Sequence, residues 1–365
     1  MTSRLGIRAR ILARAAAGRL AARRRAAVAD PRNILVVSTL LIGDALLLAP
    51  LLAKLRLRHP GAAIRMTASR HAAALFAGRP YGVEVRPFDP RDAGSLSALS
   101  AWPAPDLALV PGDNRNSWLA AALGARWIVA FSGDRPSHKN WMVDELVAWP
   151  ERPGAWSDIA ATLVAGSAPP PYRPDVWPAP VAADFERPAG RYAVLHVEAS
   201  TPLKQWEDSK WLALAETLAA GGLAPLWSAG PRGEPQLRRI DPKGRFSALG
   251  HRLDLAQLWH LVAGAALLVC PDTSVMHIGR LTGTPTIGLF GPTSATLYGP
   301  GEFWREAPFR GVTVDNFPCR DQDTLFKRRI EWIRTCRRTT AECPAPRCLH
   351  ALGVDAVMRA VRELV

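Results

Sequence analysis

From residue 33 onward the chain repeats one pattern: a short apolar run, a turn, then a longer segment whose apolar residues recur at helical spacing. Residues 34–38 read as a buried strand, Gly43 and Asp44 as the turn, and residues 45–58 as a helix that stops at His59-Pro60-Gly61. The pattern returns with strands at 63–67, 83–86 and 107–111 and helices at 71–77 and 117–123. A stretch dense in proline, 168–190, interrupts it and reads as a linker. Beyond it come strands at 192–197, 223–228, 266–269 and 286–290, with helices at 209–220, 234–240, 255–262 and 274–281. Parallel strands need a long crossover between them, and these helices supply it, so the alternation points to parallel sheets covered on both faces. The expected fold is α/β, with two doubly wound Rossmann-like domains facing across a cleft. A last helix at 354–364 has no domain assignment from pattern alone.

Size agrees with two domains, and the composition is that of a globular chain: 365 residues, 48% hydrophobic and 21% charged. The most apolar run, 40–52, is broken by Asp44 and Pro50, too short to span a bilayer. With arginines at 8, 10, 14 and 19 the start lacks a signal-peptide core, and the expected location is the cytoplasm. Net charge is +14, and half of it sits in residues 1–31, which hold eight Arg and one acid. This head reads as a basic helix that lies on an anionic membrane surface or else as a solvated appendage. The remaining excess is mild and lacks the interleaved basic and aromatic residues of a nucleic-acid surface, so no nucleic-acid partner is expected.

In open α/β sheets ligands bind beyond the carboxyl ends of the strands, which gives weight to four loops. Gly43-Asp44 follows the first strand; Asp44 reads either as an N-cap or as a general base. The loop 198–206 offers the hydroxyls of Ser200 and Thr201 and the cation of Lys204, which suit a phosphate, with Trp206 as its anchor. Glu234 in the loop after the strand at 223–228 could hold a sugar hydroxyl or simply start a helix. The fourth loop, Asp272-Thr273-Ser274 with His277 one turn on, opens a helix whose free N–H groups and positive dipole end suit a diphosphate. Asp272 is the expected N-cap, and Gly291 and Thr293 end the next strand on the same rim.

The spacing of Gly43-Asp44, of Ser200-Thr201 with Lys204 and Trp206, of Asp272-Thr273-Ser274 with His277, and of Phe290-Gly291-Pro292-Thr293 resembles the family 9 glycosyltransferases, which include the bacterial lipopolysaccharide heptosyltransferases. The resemblance runs from about residue 33 to 300 and leaves the head outside. It implies a GT-B fold and an inverting transfer without a catalytic metal or cofactor. It also implies an ADP-activated heptose donor and a lipid-linked core saccharide acceptor, handled at the inner face of the cytoplasmic membrane. Carried over by position, Asp44 is the base, Lys204 the phosphate-binding lysine, and Asp272, Thr273 and His277 the donor-diphosphate loop; Ser274 stands where many members have Gly. The implied division is a basic extension (1–31), an acceptor-binding domain (32–170), a linker (171–190) and a nucleotide-sugar-binding domain with a Cys-rich tail (191–365). Other readings are a related transferase with another nucleotide sugar or a protein acceptor, and a sugar-nucleotide-binding protein that performs no transfer. Late in the chain Cys319, Cys336, Cys343 and Cys348 offer enough soft ligands for a structural zinc or iron, the alternative being free thiols in a loop-rich tail.

Overall fold

The computed structural model describes residues 4–21, 26–249 and 252–365; the head arginines 23–25 lie outside the described residues. The chain forms two units. Unit 1 comprises Met1–Pro170, Val176–Pro178 and Thr324–Trp332; unit 2 comprises Pro171–Asp175, Ala179–Asp323 and Ile333–Val365.

Unit 1 carries a six-stranded sheet in the order β3-β2-β1-β4-β5-β6, built from β1 (Asn33–Val36), β2 (Ala63–Ala68), β3 (Glu84–Pro87), β4 (Leu107–Val110), β5 (Trp127–Phe131) and β6 (Glu145–Val147). All its neighbours pair in parallel. Unit 2 repeats the arrangement as β12-β11-β10-β7-β8-β9, from β7 (Tyr192–His196), β8 (Ala224–Ser228), β9 (Ser247–Ala248), β10 (Leu267–Pro271), β11 (Thr286–Phe290) and β12 (Phe309–Thr313), again parallel throughout. Each order is the doubly wound one, reversing direction between β1 and β4 in unit 1 and between β7 and β10 in unit 2. At such a reversal the loops leave toward opposite faces and open a crevice at the strands' carboxyl ends.

The helix expected at 45–58 is two helices, Ile42–Leu46 and Ala49–Arg58, with a break at Leu47-Leu48. Pro50 explains it: the ring lacks an N–H and clashes with the carbonyl four residues earlier, so it is tolerated only in a first turn, where it stands here. The final helix, Val354–Arg362, belongs to unit 2, where Val357 and Val361 join a core with Leu195, Trp211, Trp227, Val269, Leu289 and Leu349.

The head folds as a helix, Arg4–Ala21, that docks on unit 1. Ile7, Ile11 and Ala15, four residues apart along one stripe, are buried against Leu119, Ala120 and Ala121. Small alanines on both sides let the helices approach closely, and each buried isoleucine stabilises the contact by roughly 1.5–3 kcal/mol. Arg19 fastens one end through Asp144 at 2.7 Å, and Arg14 donates to Ser100 at 3.0 Å. The head is therefore no solvated appendage, and its apolar stripe faces protein. No helix among the described residues is long and apolar enough to cross a membrane.

The proline stretch is packed down. Trp177 packs at a tilt against Phe76, ring centroids 4.8 Å apart, and donates to the Leu75 carbonyl at 3.0 Å within unit 1. Tyr172 donates to the Leu281 carbonyl at 2.8 Å within unit 2. Residues 324–332 fold with unit 1 as a hairpin, β13 (Thr324–Leu325) against β14 (Arg328–Arg329). Its Arg328 is buried and donates to the carbonyls of Gly112 and Ser132, both at 2.9 Å, and to Asn114 Oδ1 at 2.6 Å. Beneath it lies buried Asp134, which pairs with Lys139 at 2.9 Å.

Candidate active site

Unit 2 concentrates the expected phosphate-binding residues at its reversal point. β7 ends on His196, fully enclosed, with Nδ1 3.0 Å from Ser228 Oγ; burial pushes this imidazole down to about 4. The chain then turns through Thr201, whose hydroxyl oxygen accepts from Leu203 N and caps a short helical turn, Pro202–Lys204. Trp206 anchors the loop from below, donating to the Leu352 carbonyl at 3.0 Å.

That geometry delivers Lys204 to the neighbouring strand end. Its Nζ donates to Asp272 Oδ2 at 2.8 Å and to the Asp272 carbonyl at 3.1 Å. Burial pushes the Asp272 carboxyl up, but Lys204, then His277 and Thr293, pull harder and hold it below the ordinary carboxylate range. Asp272 is thus an ion-pair partner of Lys204 and not the helix cap. Thr273 occupies the cap position of helix Ser274–Thr282, without a side-chain cap bond. The first N–H groups of that helix, with the positive end of its dipole, stay available to an anion.

Around this pair lie polar atoms that find no hydrogen-bond partner among the described residues: Thr273 Oγ1, His277 Nδ1 and Thr293 Oγ1, all buried. Thr293 faces the Asp272 carboxylate but lies outside full hydrogen-bond geometry. Burial first, then the charges of Arg280 and Lys204, against the pull of Asp272, push His277 down to about 3. Buried polar groups normally bond, so three orphans beside a lysine and a helix N-terminus mark a place built for an oxyanion-bearing ligand.

The other expected residues divide. Ser200 is exposed at the loop's edge. Glu234 opens helix Glu234–Ile240 after β8 and pairs with Arg238 at 2.7 Å. Gly291 serves packing: a Cβ there would meet Leu349 Cδ1 at 3.0 Å and Cys348 Sγ at 3.4 Å. In unit 1, Gly43 and Asp44 lie in the first turn of helix Ile42–Leu46, directly beyond β1, with Asp44 half-buried. Leu41, not Asp44, holds the N-cap position, so the capping reading of Asp44 falls.

One residue missed from sequence belongs here. Glu198 follows β7, and its Oε2 is buried without a hydrogen-bond partner among the described residues, 2.8 Å from where a Cβ on Gly230 or on Gly233 would sit. Glycine at both positions admits this carboxylate beside the Glu234 loop. A charged residue placed directly after a fully buried strand was the available signal. The cysteines give no metal centre: all four late thiols are free, and among the described residues no three His, Cys, Asp or Glu side chains gather as ligands. Cys343 donates instead to the Ala345 carbonyl at 3.0 Å, and burial pushes the Cys319 and Cys348 thiols up.

Residues 175–327 match the model of glycosyltransferase family 9 (heptosyltransferase). Lipopolysaccharide heptosyltransferase 1 of Pseudomonas aeruginosa is 30% identical over 135 residues, 36% of this chain and 36% of that protein. The chain thus matches about a third of the length of this curated relative. Among solved structures, the family 9 glycosyl transferase of Veillonella parvula superposes with a TM-score of 0.70 at 15% identity, covering 93% of this chain and 98% of that one. E. coli heptosyltransferase WaaC with ADP gives 0.67 at 18% identity, covering 91% and 100%. The sequence match falls on the segment that carries Lys204, Asp272 and His277, while the fold likeness spans both units. Residues 175–327 are thus similar to glycosyltransferase family 9 (heptosyltransferase), and the chain as a whole shares the GT-B fold of these solved structures.

Proposed function

We propose that the protein is an inverting glycosyltransferase that moves heptose from ADP-heptose to a hydroxyl of a lipid-linked core saccharide, at the inner face of a cytoplasmic membrane. The observation that carries this is the Lys204–Asp272 pair with the unpartnered Thr273, His277 and Thr293 atoms at the β7/β10 reversal. The likeness of the matched segment to that family and the ADP that accompanies E. coli WaaC in its structure support a nucleoside-diphosphate donor.

In this reading Lys204 and the N–H groups at the start of helix Ser274–Thr282 hold the donor diphosphate. As the glycosidic bond breaks, negative charge grows on the leaving diphosphate, and fixed dipoles and a lysine in a partly desolvated site stabilise it with little reorganisation. No divalent metal is required in this scheme. His277, kept neutral by its burial, acts as a hydrogen-bond donor or acceptor and not as a second cation. Asp44 takes the proton of the acceptor hydroxyl as that oxygen attacks the anomeric carbon from the face opposite the diphosphate, which inverts the configuration. Mass spectrometry of products formed from a panel of nucleotide sugars, with lipid-linked saccharide and protein acceptors in parallel, tests the assignment. Transfer from ADP-heptose to the saccharide is the expected result; transfer only from another nucleotide sugar, only to protein, or not at all, overturns it.

A further inference from the structure

Helix Ser274–Thr282 carries a cation that the transfer chemistry leaves unused. Arg280 stands one turn beyond His277, so the two side chains share a face of the helix. It is 1% exposed. Its Nη1 donates to the Gly299 carbonyl at 3.1 Å and its Nη2 to the Tyr298 carbonyl at 2.5 Å, while the guanidinium carbon lies 3.9 Å from the centre of the Phe309 ring, all within unit 2. Nε finds no partner among the described residues, and no carboxylate there forms an ion pair with this side chain. Burying an ion without a counter-ion is costly, and two carbonyls and a ring offset only part of that cost.

The charge is felt where the diphosphate would lie. After burial it is the strongest influence holding His277 neutral, and Asp272 is the carboxylate whose field reaches it. Asp272 is already paired with Lys204 at 2.8 Å, so those two charges cancel at close range. To an approaching diphosphate Lys204 offers a hydrogen bond and little net charge, whereas Arg280 offers net charge through an enclosed interior that screens it weakly. Its carbonyl bonds also fix a position. Tyr298 and Gly299 close helix Ala295–Tyr298, whose cap Ser294 follows Thr293, the unpartnered hydroxyl that faces Asp272. A cation at the carboxyl end of a helix suits its dipole.

We infer that Arg280 is a positioning residue of the donor site: its buried charge supplies the net attraction for the diphosphate that the neutralised Lys204 does not, and its hold on Tyr298 and Gly299 ties down the segment that presents Thr293. The inference rests on the glycosyltransferase reading. The test is calorimetric titration of the full-length chain and its variants with ADP and with AMP, folding being checked by tryptophan fluorescence. Two phosphates feel a positive charge more than one does, so Arg280→Gln, which keeps a donor for the carbonyls and drops the charge, should lose about tenfold or more in affinity for ADP and about threefold for AMP. Arg280→Lys, which keeps the charge, should stay within about threefold of the wild type for both ligands. Where Arg280→Gln does not fold, Arg280→Met, neutral and apolar, carries the same comparison. Wild-type ADP affinity in the neutral variant, equal losses for ADP and AMP, or a loss in Arg280→Lys as large as in the neutral variant overturns the inference, the last two by showing a packing role alone. Failure of the wild-type chain to bind ADP overturns the donor reading instead.

Discussion

Acid should weaken this protein well before its carboxylates titrate. Unit 2 encloses two imidazoles, His196 held at about 4 by burial and His277 at about 3 by burial and then by Arg280 and Lys204, against an ordinary value of 6.5. Both folded values lie below the unfolded one. As pH falls through 6.5 the unfolded chain takes up protons that the folded chain refuses, so stability is constant above that point and lost progressively below it. Each group costs ~1.4 kcal/mol per pH unit in this window, so from about pH 6.5 to about pH 5 each costs ~2 kcal/mol and the pair ~4 kcal/mol. That is a large share of the ~5–15 kcal/mol of a typical domain. The carboxylates whose values are lowered, buried Asp272 and half-buried Asp113 among them, stabilise the fold above their unfolded range near 4 and lose that contribution only below it, outside this window. His59 in unit 1, lowered by burial and by Arg58, adds to the loss with the same sign. Urea unfolding followed by tryptophan fluorescence at several pH values measures the slope, and His196→Gln with His277→Gln should flatten most of it whatever the absolute stability of the double variant. A wild-type midpoint that stays level from about pH 6.5 to about pH 5, or a double variant with the wild-type slope, would refute the reasoning.

Asp44→Asn should abolish transfer while ADP affinity stays within a few fold, because a lost base harms the chemical step and not ground-state binding; near-normal turnover in a single-turnover assay would sink the assignment. Lys204→Ala should weaken ADP binding by about 10–100-fold, since a charge-assisted hydrogen bond is worth ~1.5–3 kcal/mol, and His277→Ala should weaken it less, both read by calorimetry. Transfer should be unaffected by EDTA, and restoration of lost activity by Mg²⁺ would contradict the proposed stabilisation of the leaving group. Ile7→Ala should lower the stability of unit 1 by about 2–4 kcal/mol through a cavity under the head helix, measured by urea unfolding. Deleting residues 1–31 should reduce sedimentation with anionic vesicles in a salt-dependent way, because the apolar stripe is occupied and only charge remains to attract the surface.

The doubly wound fold was legible because its strands are apolar runs of the right length with crossovers between them. The loops at strand ends were legible for the same reason: once the strands are placed, Lys204, Asp272 and His277 fall where ligands bind. Their mutual arrangement was not. Lys204 and Asp272 are 68 residues apart, and only the pairing of β7 with β10 makes them neighbours. Asp272 looked like a cap because Asp and Thr both cap helices; the lysine opposite decided which of two adjacent residues took that place. Gly291 looked like a ligand-facing glycine, yet the side chain that excludes a Cβ there is Leu349, from a distant short helix. The head's burial was hidden by its composition, since a stripe of Ile7, Ile11 and Ala15 is thin on an isolated helix and sufficient only against an equally small-faced partner.

Arg328 sets an order of events during synthesis. Its partners on unit 1 precede it by about two hundred residues, with a separation of 214 to Asn114 and 216 to Gly112. At ~5–20 residues per second a ribosome needs roughly 10–40 s to cover that interval. Throughout it the earlier half of the nascent chain has Lys139 as the sole buried cation beside Asp134 among the described residues, and the carbonyls of Gly112 and Ser132 await their donor. The unit begun first is finished almost last. A gene cut at the proline stretch would therefore yield a first half lacking its own keystone, and a synthetic peptide spanning 324–332 is the piece that should complete it.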